Sequence, residues 1–577
     1  MTENDPQLKV VSDPDDLKGT ALERREWLRL LGGSGSLVLG ASLAGCLGGS
    51  GGSDNGGSGG DGQDSTTGDD NGSGGVQPPE ELVLARAGDS EALDPHVGTA
   101  SYSSMVMDLI YDPLVHLDFD GSVVPAIGKG WDVSDDGTEW TIELNDGPMF
   151  TNGSPVTAED VAFTFTRMLE NSPMSWAAGS METVEAIDDM TVKFTFGSSH
   201  APWRTYSAYA GYFGVLPKAV VEERGDQFAS GPVGSGPYKL QEWVRDSRLT
   251  LERNDDWETP TLPEVEAEKP PLPRKITFRV IPEETPRVQA LLSGDVDMLI
   301  ARDFPPRKLE QIQGSNDTTA EVFTSNNAGY VAFNMNLGPT ADLKVRQALS
   351  HAIDRDRIIE DIYQGMGKKS NAPLSENLLG WAGDEIDGYQ FDQDRAGALL
   401  DEAGWTMGSG DVRRKDGEPL RLQVVSTNTP PPRAQLAEEM VAMLSEVGVD
   451  AELTTYEYNT AYAEVRKGET HLFYATASWF DPDVLTFAWH SSNAGASNLS
   501  FLENDEVDSL LEEGAATVDE QERAAVYAEL QKTAMELVPC QPVMTYESAV
   551  GMRSAVNGYK QHPSLLTPIY DDVTLDD

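Results

Sequence analysis

Catalysis or metal binding would have to start from nucleophiles, imidazoles and thiols, and this sequence arranges few of them usefully. Two Gly-x-Ser-x-Gly matches, centred on Ser50 and Ser58, have the spacing of a nucleophile elbow. That motif needs a strand before the serine and a helix after it. Both matches instead lie in 47–75, where 18 of 29 positions are Gly or Ser and five are Asp. Ser53-Asp54-Asn55 falls in the same stretch, without the Ser-x-x-Lys and Lys-Thr-Gly partners of penicillin-binding enzymes. The seven His are scattered, with no His-Glu-x-x-His spacing and no calcium loop, so neither a metal nor a cofactor is expected. Two cysteines, Cys46 and Cys540, cannot build a disulfide framework or a Cys-rich metal site. Cys540 sits in the apolar stretch Leu537-Val538-Pro539-Cys540 and is expected in the core. A secreted hydrolase is therefore disfavoured, and no catalytic residue is assigned.

Cys46 has a different context. Arg24-Arg25-Glu26-Trp27-Leu28-Arg29 resembles the twin-arginine export motif. The apolar run that follows, Leu30 to Leu43, is diluted by four glycines and is too short for a comfortable membrane span. Leu43-Ala44-Gly45-Cys46 then resembles a lipobox, whose cysteine is lipidated after cleavage. Residues 1–46 are read as a lipoprotein signal and 47–79 as a flexible tether reaching about 30 Å from a membrane.

The charge balance excludes another class. The 577 residues hold 96 Asp+Glu against 42 Lys+Arg, a formal net charge of −54. A phosphate backbone would be repelled, so nucleic acid is not a partner. Only 16 of the basic residues are Lys, and acid-rich, Lys-poor composition suits an extreme halophile, whose molar salt screens the self-repulsion.

The elements behind 79 read as α/β. Alternation marks strands at Trp140-Ile142-Leu144, Val192-Phe194-Phe196, Leu249-Leu251 and Ile276-Phe278-Val280. Helical faces run from Leu343 to Ile353 after the cap Asp342, and from Ala396 to Ala403 before Gly404. Strand 420–424, helix 436–447 and strand 449–453 make a βαβ unit, which implies a parallel sheet in the second half.

Several motifs follow one another in a specific order. Val124-Pro125-Ala126-Ile127-Gly128-Lys129-Gly130-Trp131 leads to Trp140–Leu144 and Thr157-Ala158-Glu159-Asp160-Val161. Gly234-Ser235-Gly236-Pro237-Tyr238, Leu291–Asp297, Val345-Arg346-Gln347-Ala348-Leu349, Leu399–Trp405 and Asp481-Pro482-Asp483 come next. This series resembles solute-binding protein family 5, the dipeptide, oligopeptide and nickel-binding components of ABC importers, over roughly 80–577. The resemblance implies a two-lobed, periplasmic-binding-protein-like fold of type II with an extra subdomain in lobe I. Lobe I is expected at 80–282, including the subdomain at about 116–232, and again at 536–577; lobe II is expected at 283–535. It also implies a peptide or similar small solute as ligand, and an ABC permease with its ATPase subunits as partners. An oligosaccharide, a nickel chelate or a sensory role remain alternatives.

The same resemblance points to ligand-binding residues. Trp479, with Ser478, Phe480 and Asp481, occupies the stretch that lines lobe II's side of the cleft. Peptide-binding members carry more residues between the Trp and the Asp-Pro, including an acid that pairs with the peptide amine. Here only Phe480 intervenes, and Asp481 either takes that place or is a structural cap. From lobe I, Tyr102 and Ser103 follow Leu93-Asp94-Pro95-His96, where members place pocket residues, and Trp176, Tyr212 and Phe213 hold comparable wall positions.

Overall fold

The computed structural model describes residues 79–576 except 264–272, 429, 566–567 and 571. The expected signal, Cys46 and the tether up to 78 lie outside the described residues. Local sequence signals account for many of the elements. Thr157 and Asp160 form a reciprocal capping box on the helix Ala158–Asn171. Asp342 caps Leu343–Ala352 by accepting the Lys344 N–H. The expected βαβ unit is present: Arg421–Thr427 and Asp450–Tyr456 pair in parallel, joined by the helix Pro431–Glu446. Gly448 supplies the positive φ of 85° that ends that helix. Cys540 is fully buried, as its apolar context predicts.

One eleven-stranded sheet, counted among the described residues, runs through both lobes. Two long strands, Thr318–Phe333 and Cys540–Arg553, lie side by side at its centre. Their outer halves pair from Thr318↔Arg553 to Thr324↔Glu547, and their inner halves from Ala328↔Thr545 to Ala332↔Cys540. Between these blocks Ser325, Asn326 and Asn327 face the single residue Tyr546. Such an excess on one strand bends and twists a ladder. The Ser325 hydroxyl donates to the Tyr546 carbonyl at 3.0 Å, which holds the bulge in place.

On one side of the bulge the sheet continues through Met298–Leu299, Leu82–Arg86, Lys275–Val280, Arg248–Arg253 and Tyr238–Val244. On the other it continues through Leu472–Ser478, Arg421–Thr427 and Asp450–Tyr456. The chain thus changes lobe at 325–327 and at 546, not at 283 and 536. Residues 284–324 stay with the first lobe because Met298–Leu299 pairs in parallel with the Leu82–Arg86 strand. The helix Glu284–Leu292 likewise buries Val288 and Leu291 against Ala85 and Ala549. A four-stranded antiparallel sheet, Gly128–Val133, Glu139–Leu144, Thr191–Phe196 and Met181–Asp188, forms the added layer of the first lobe. Phe165 of the helix Ala158–Asn171 meets Phe194 and Trp203 edge-on there, at 5.3 and 4.9 Å between ring centroids.

The Gly234-Ser235-Gly236-Pro237 turn has a packing reason. A Cβ on Gly234 would meet the Ile110 carbonyl oxygen at 2.0 Å, and one on Gly236 would meet the same peptide at 2.7 Å. These glycines let the turn press on the end of the helix Ser101–Ile110.

Candidate functional site

The strand Leu472–Ser478 ends at the seam between the lobes, and the loop after it enters the first lobe. Ser478 is exposed at the strand end, paired with Asn327 of the bulge. Trp479 is half-buried: its ring stacks on Phe480 at 4.4 Å and lies 5.3 Å from Trp176 and 6.1 Å from Tyr206. Phe480 is buried and stacks on Tyr209 with centroids 3.5 Å apart. Trp176 also meets Phe487 edge-on at 4.8 Å. Rings from both lobes therefore form one cluster across the seam, and Trp176 and Trp479 both belong to it. Neither indole N–H has a hydrogen-bond partner, although both are out of solvent.

Beside this cluster opens a cleft of about 920 Å³. Trp176, His200 and Tyr206 line it from the first lobe, and Asp483, Phe487 and His490 from the second. Pockets of this size, with apolar walls and a few convergent polar groups, hold small solutes. Asp483 accepts hydrogen bonds from Thr486 at 2.7 Å and from Tyr206 of the opposite lobe at 3.3 Å. Burial, with Asp481 adding repulsion, pushes its carboxyl up to about 6.

Other sequence-derived candidates have different duties. Asp481 is not an amine partner: both its oxygens receive the Arg523 guanidinium, at 2.9 and 2.7 Å, deep in the protein. Burial alone would raise its carboxyl, but Arg523, together with the Asp483 N–H and the Thr205 hydroxyl, holds it below the usual range. The Ser103 hydroxyl is buried and accepts the Glu91 N–H at 2.9 Å, pinning the preceding loop rather than facing the cleft. Phe213 is wholly buried against Trp203 and is core. Tyr212 is buried beside it. Tyr102 is half-buried and donates to Asp303 at 2.7 Å, with Arg302 over its ring at 5.4 Å.

The structure adds a group that the residue patterns did not single out. Arg433 stands in the first turn of Pro431–Glu446, at the carboxyl end of the parallel strand Arg421–Thr427, where open α/β sheets receive ligands. It is 9% exposed, donates through Nη2 to Thr476 at 2.9 Å and lies 5.7 Å from the Tyr458 ring centroid. Nη1 is buried without a partner, and no carboxylate pairs with this guanidinium among the described residues. Thr476 lies two residues before Ser478 on the same strand face, about 7 Å from the strand end at the lobe seam. The sequence signal was its place at a strand-to-helix junction.

Residues 122–498 match the model of bacterial extracellular solute-binding proteins, family 5 Middle. The chain belongs to this family. As a family 5 protein it is an extracytoplasmic solute-binding component of an ABC importer. It is 28% identical over 468 residues to the nickel-binding periplasmic protein of Escherichia coli, covering 78% of this chain and 86% of the relative. It is also 28% identical over 474 residues to heme-binding protein A of Haemophilus influenzae, covering 76% and 82%. The NikA structure from Brucella suis in complex with Fe(III)-EDTA superposes with a TM-score of 0.77 at 25% identity, over 86% of this chain and all of that one. Such likeness establishes the type II two-lobed fold of family 5. Among the described residues no helix is long and apolar enough to cross a membrane, and no group of three or more His, Cys, Asp or Glu is placed to hold a metal ion.

Proposed function

We propose that this family 5 protein is a lipid-anchored receptor that captures a carboxylate-bearing solute, a short peptide or a compact molecule of like chemistry, without catalysing a reaction on it. Arg433 carries the reading. Tyr458, Tyr462 and Tyr546 around it offset the burial of its guanidinium, but its Nη1 lacks an acceptor, which a bound carboxylate would supply. The rings of Trp176 and Trp479 would wall the solute, closed between the lobes by rotation about the bulge at 325–327. The relatives named for nickel and for heme support the breadth of ligands the fold accepts, and a nickel chelate built on a polycarboxylate would also suit Arg433.

Mass spectrometry of solute released from protein purified in molar salt tests this directly. A molecule with at least one carboxylate is expected, and Arg433→Met protein should fold yet release none. A solute lacking any carboxylate, or equal occupancy in the variant, would sink the reading.

The anchor has its own test. Tethering through Cys46 rests on the Arg24-Arg25 to Leu43–Cys46 order and on the Gly/Ser-rich stretch behind it. Cys46→Ser should move the protein from the membrane fraction to the medium, or leave it unprocessed. Unchanged mass and fractionation would remove the lipid from the account.

A further inference from the structure

An extracytoplasmic chain meets glycan-transferring enzymes, whose acceptor pattern for N-linked sugars is Asn-x-Ser/Thr. The sequence has four such triplets: Asn71-Gly72-Ser73, Asn152-Gly153-Ser154, Asn316-Asp317-Thr318 and Asn498-Leu499-Ser500. Asn71 lies outside the described residues. Transfer asks two things of the folded chain at the others: a free amide Nδ2 in open space, and an accessible hydroxyl at the third position. Asn498 offers neither. It is wholly buried, its Nδ2 lies 3.2, 3.3 and 2.8 Å from the carbonyl oxygens of Trp489, His490 and Leu502, and Ser500 is buried too. A glycan there would strand three carbonyls inside the protein. Asn316 is exposed, but its triplet is tied into the sheet. The Asn316 carbonyl accepts the Ser554 hydroxyl, and the Asp317 carbonyl accepts the Ser554 N–H. The Thr318 hydroxyl is buried and donates to the Ile312 carbonyl at 2.7 Å, so an enzyme cannot read it.

Asn152 meets both requirements. Residues 149–155 form a tight hairpin in the first lobe, with Met149 bridged to Pro155. The Phe150 N–H donates to the Ser154 carbonyl and the Gly153 N–H to the Phe150 carbonyl, each at 2.8 Å. The buried Phe150 ring roots the hairpin, and the Thr151 N–H ties it to the Gly234 carbonyl at 2.8 Å. At the tip Gly153 takes a φ of 86°, and a Cβ there would meet nothing within 4 Å, so the tip stands in solvent. Asn152 is exposed, and its Oδ1 accepts the Ser154 N–H at 3.0 Å and the Ser154 hydroxyl at 2.8 Å. Those bonds orient the amide and set the hydroxyl beside it, while Nδ2 keeps both of its donors for solvent. No residue that lines the cleft belongs to this hairpin, so a sugar on it leaves solute capture untouched. We propose that Asn152 carries an N-linked glycan, and that Asn316 and Asn498 carry none. The donor is a sugar held on a lipid phosphate. A bond forms from Asn152 Nδ2 to C1 of that sugar, and the bond from C1 to the phosphate oxygen breaks. The lipid phosphate leaves with the electron pair, and Nδ2 gives up one proton.

The test is peptide mass spectrometry on the full chain, purified from its own host in molar salt and digested with trypsin. Cleavage after Lys and Arg leaves each described triplet in its own peptide, 130–167, 309–344 and 468–523. In wild type, peptide 130–167 should carry the mass of a glycan on Asn152, with the other two at their sequence masses. Asn152→Gln and Ser154→Ala should lose that mass completely, and Ser154→Thr should keep it. Retention in the Thr variant shows that the hydroxyl is read as part of the acceptor pattern. The wild-type peptide decides the matter even where a variant fails to accumulate. Peptide 130–167 at its sequence mass, or with the Asn152 amide merely hydrolysed to an acid, overturns the proposal. So does a glycan on 309–344 or 468–523, or one that survives Ser154→Ala.

Discussion

Arg523→Leu is expected to lower the unfolding free energy by about 3–5 kcal/mol, the usual cost of stranding one member of a buried ion pair. Arg523 reaches from the start of the helix Glu520–Glu536 into the loop after Trp479 and clamps Asp481 with two hydrogen bonds. Its Nε also donates to the Gly514 carbonyl at 3.0 Å, tying in the helix Asp505–Ala516. Without the guanidinium, the Asp481 carboxylate would be buried beside Asp483 with only the more distant Arg204, itself paired with Glu520, opposite in charge. The double variant Asp481→Leu/Arg523→Leu should recover most of the loss, because no charge is then left alone. The pH dependence has a definite sign. A carboxyl held low in the folded state contributes its stability above its unfolded value, about 3.9, and loses it as pH falls through the folded value. Wild type and Arg523→Leu should therefore differ most near neutrality and converge in strong acid. Denaturant unfolding at pH 7 and at pH 2–3 checks this. A single variant as stable as wild type at pH 7 would mean that the clamp contributes nothing net.

The second large effect is expected from salt. The chain carries a formal charge of −54, and its acids are placed where they repel. The helix Asp505–Ala516 opens with Asp505, Glu506 and Asp508, and carries Glu512 one turn beyond Asp508. Like charges at that spacing destabilise a helix. At 1 M salt the Debye length is about 3 Å and such pairs are largely screened; at 0.1 M it is about 10 Å and most of the surface repels itself. Dialysis from molar salt to 0.1 M should unfold the protein or lower its midpoint by tens of degrees, as followed by circular dichroism. A midpoint unchanged between the two conditions would remove the halophile reading.

Local features were legible wherever a short stretch of sequence contains the whole physical cause. The capping box at Thr157, the cap at Asp342, the βαβ unit around 420–456 and the burial of Cys540 all depend on neighbours within a turn or one strand. The family likeness also put Trp479 and Trp176 at the lobe seam, where they meet. Asp481 was legible only as a choice between amine partner and structural cap, and its ion pair was not. Its partner lies 42 residues away, and nothing in Asp481-Pro482-Asp483 announces a guanidinium. Ser103 and Phe213 failed for a similar reason, since a hydroxyl or ring beside a pocket position can face the other way. The lobe boundaries moved because Thr318–Phe333 and Cys540–Arg553 run unbroken through the bulge, with no Pro or Gly cluster to mark the crossing.

The bulge between 324 and 328 also bears on the order in which the molecule is completed. Everything from 325 to 546 is an excursion inserted between two edges of the first lobe's own sheet. The outer half of Cys540–Arg553 lies between Met298–Leu299 and Thr318–Thr324, so that sheet stays open until residue 553 has been made. The second lobe has all of its strands once Cys540–Thr545 is in place. On a growing chain, the lobe encoded in the middle is therefore whole before the lobe that began at the amino end. The first lobe must wait with Met298 and Leu299 unpaired on one side, an exposed apolar edge of the sort that invites association with other chains.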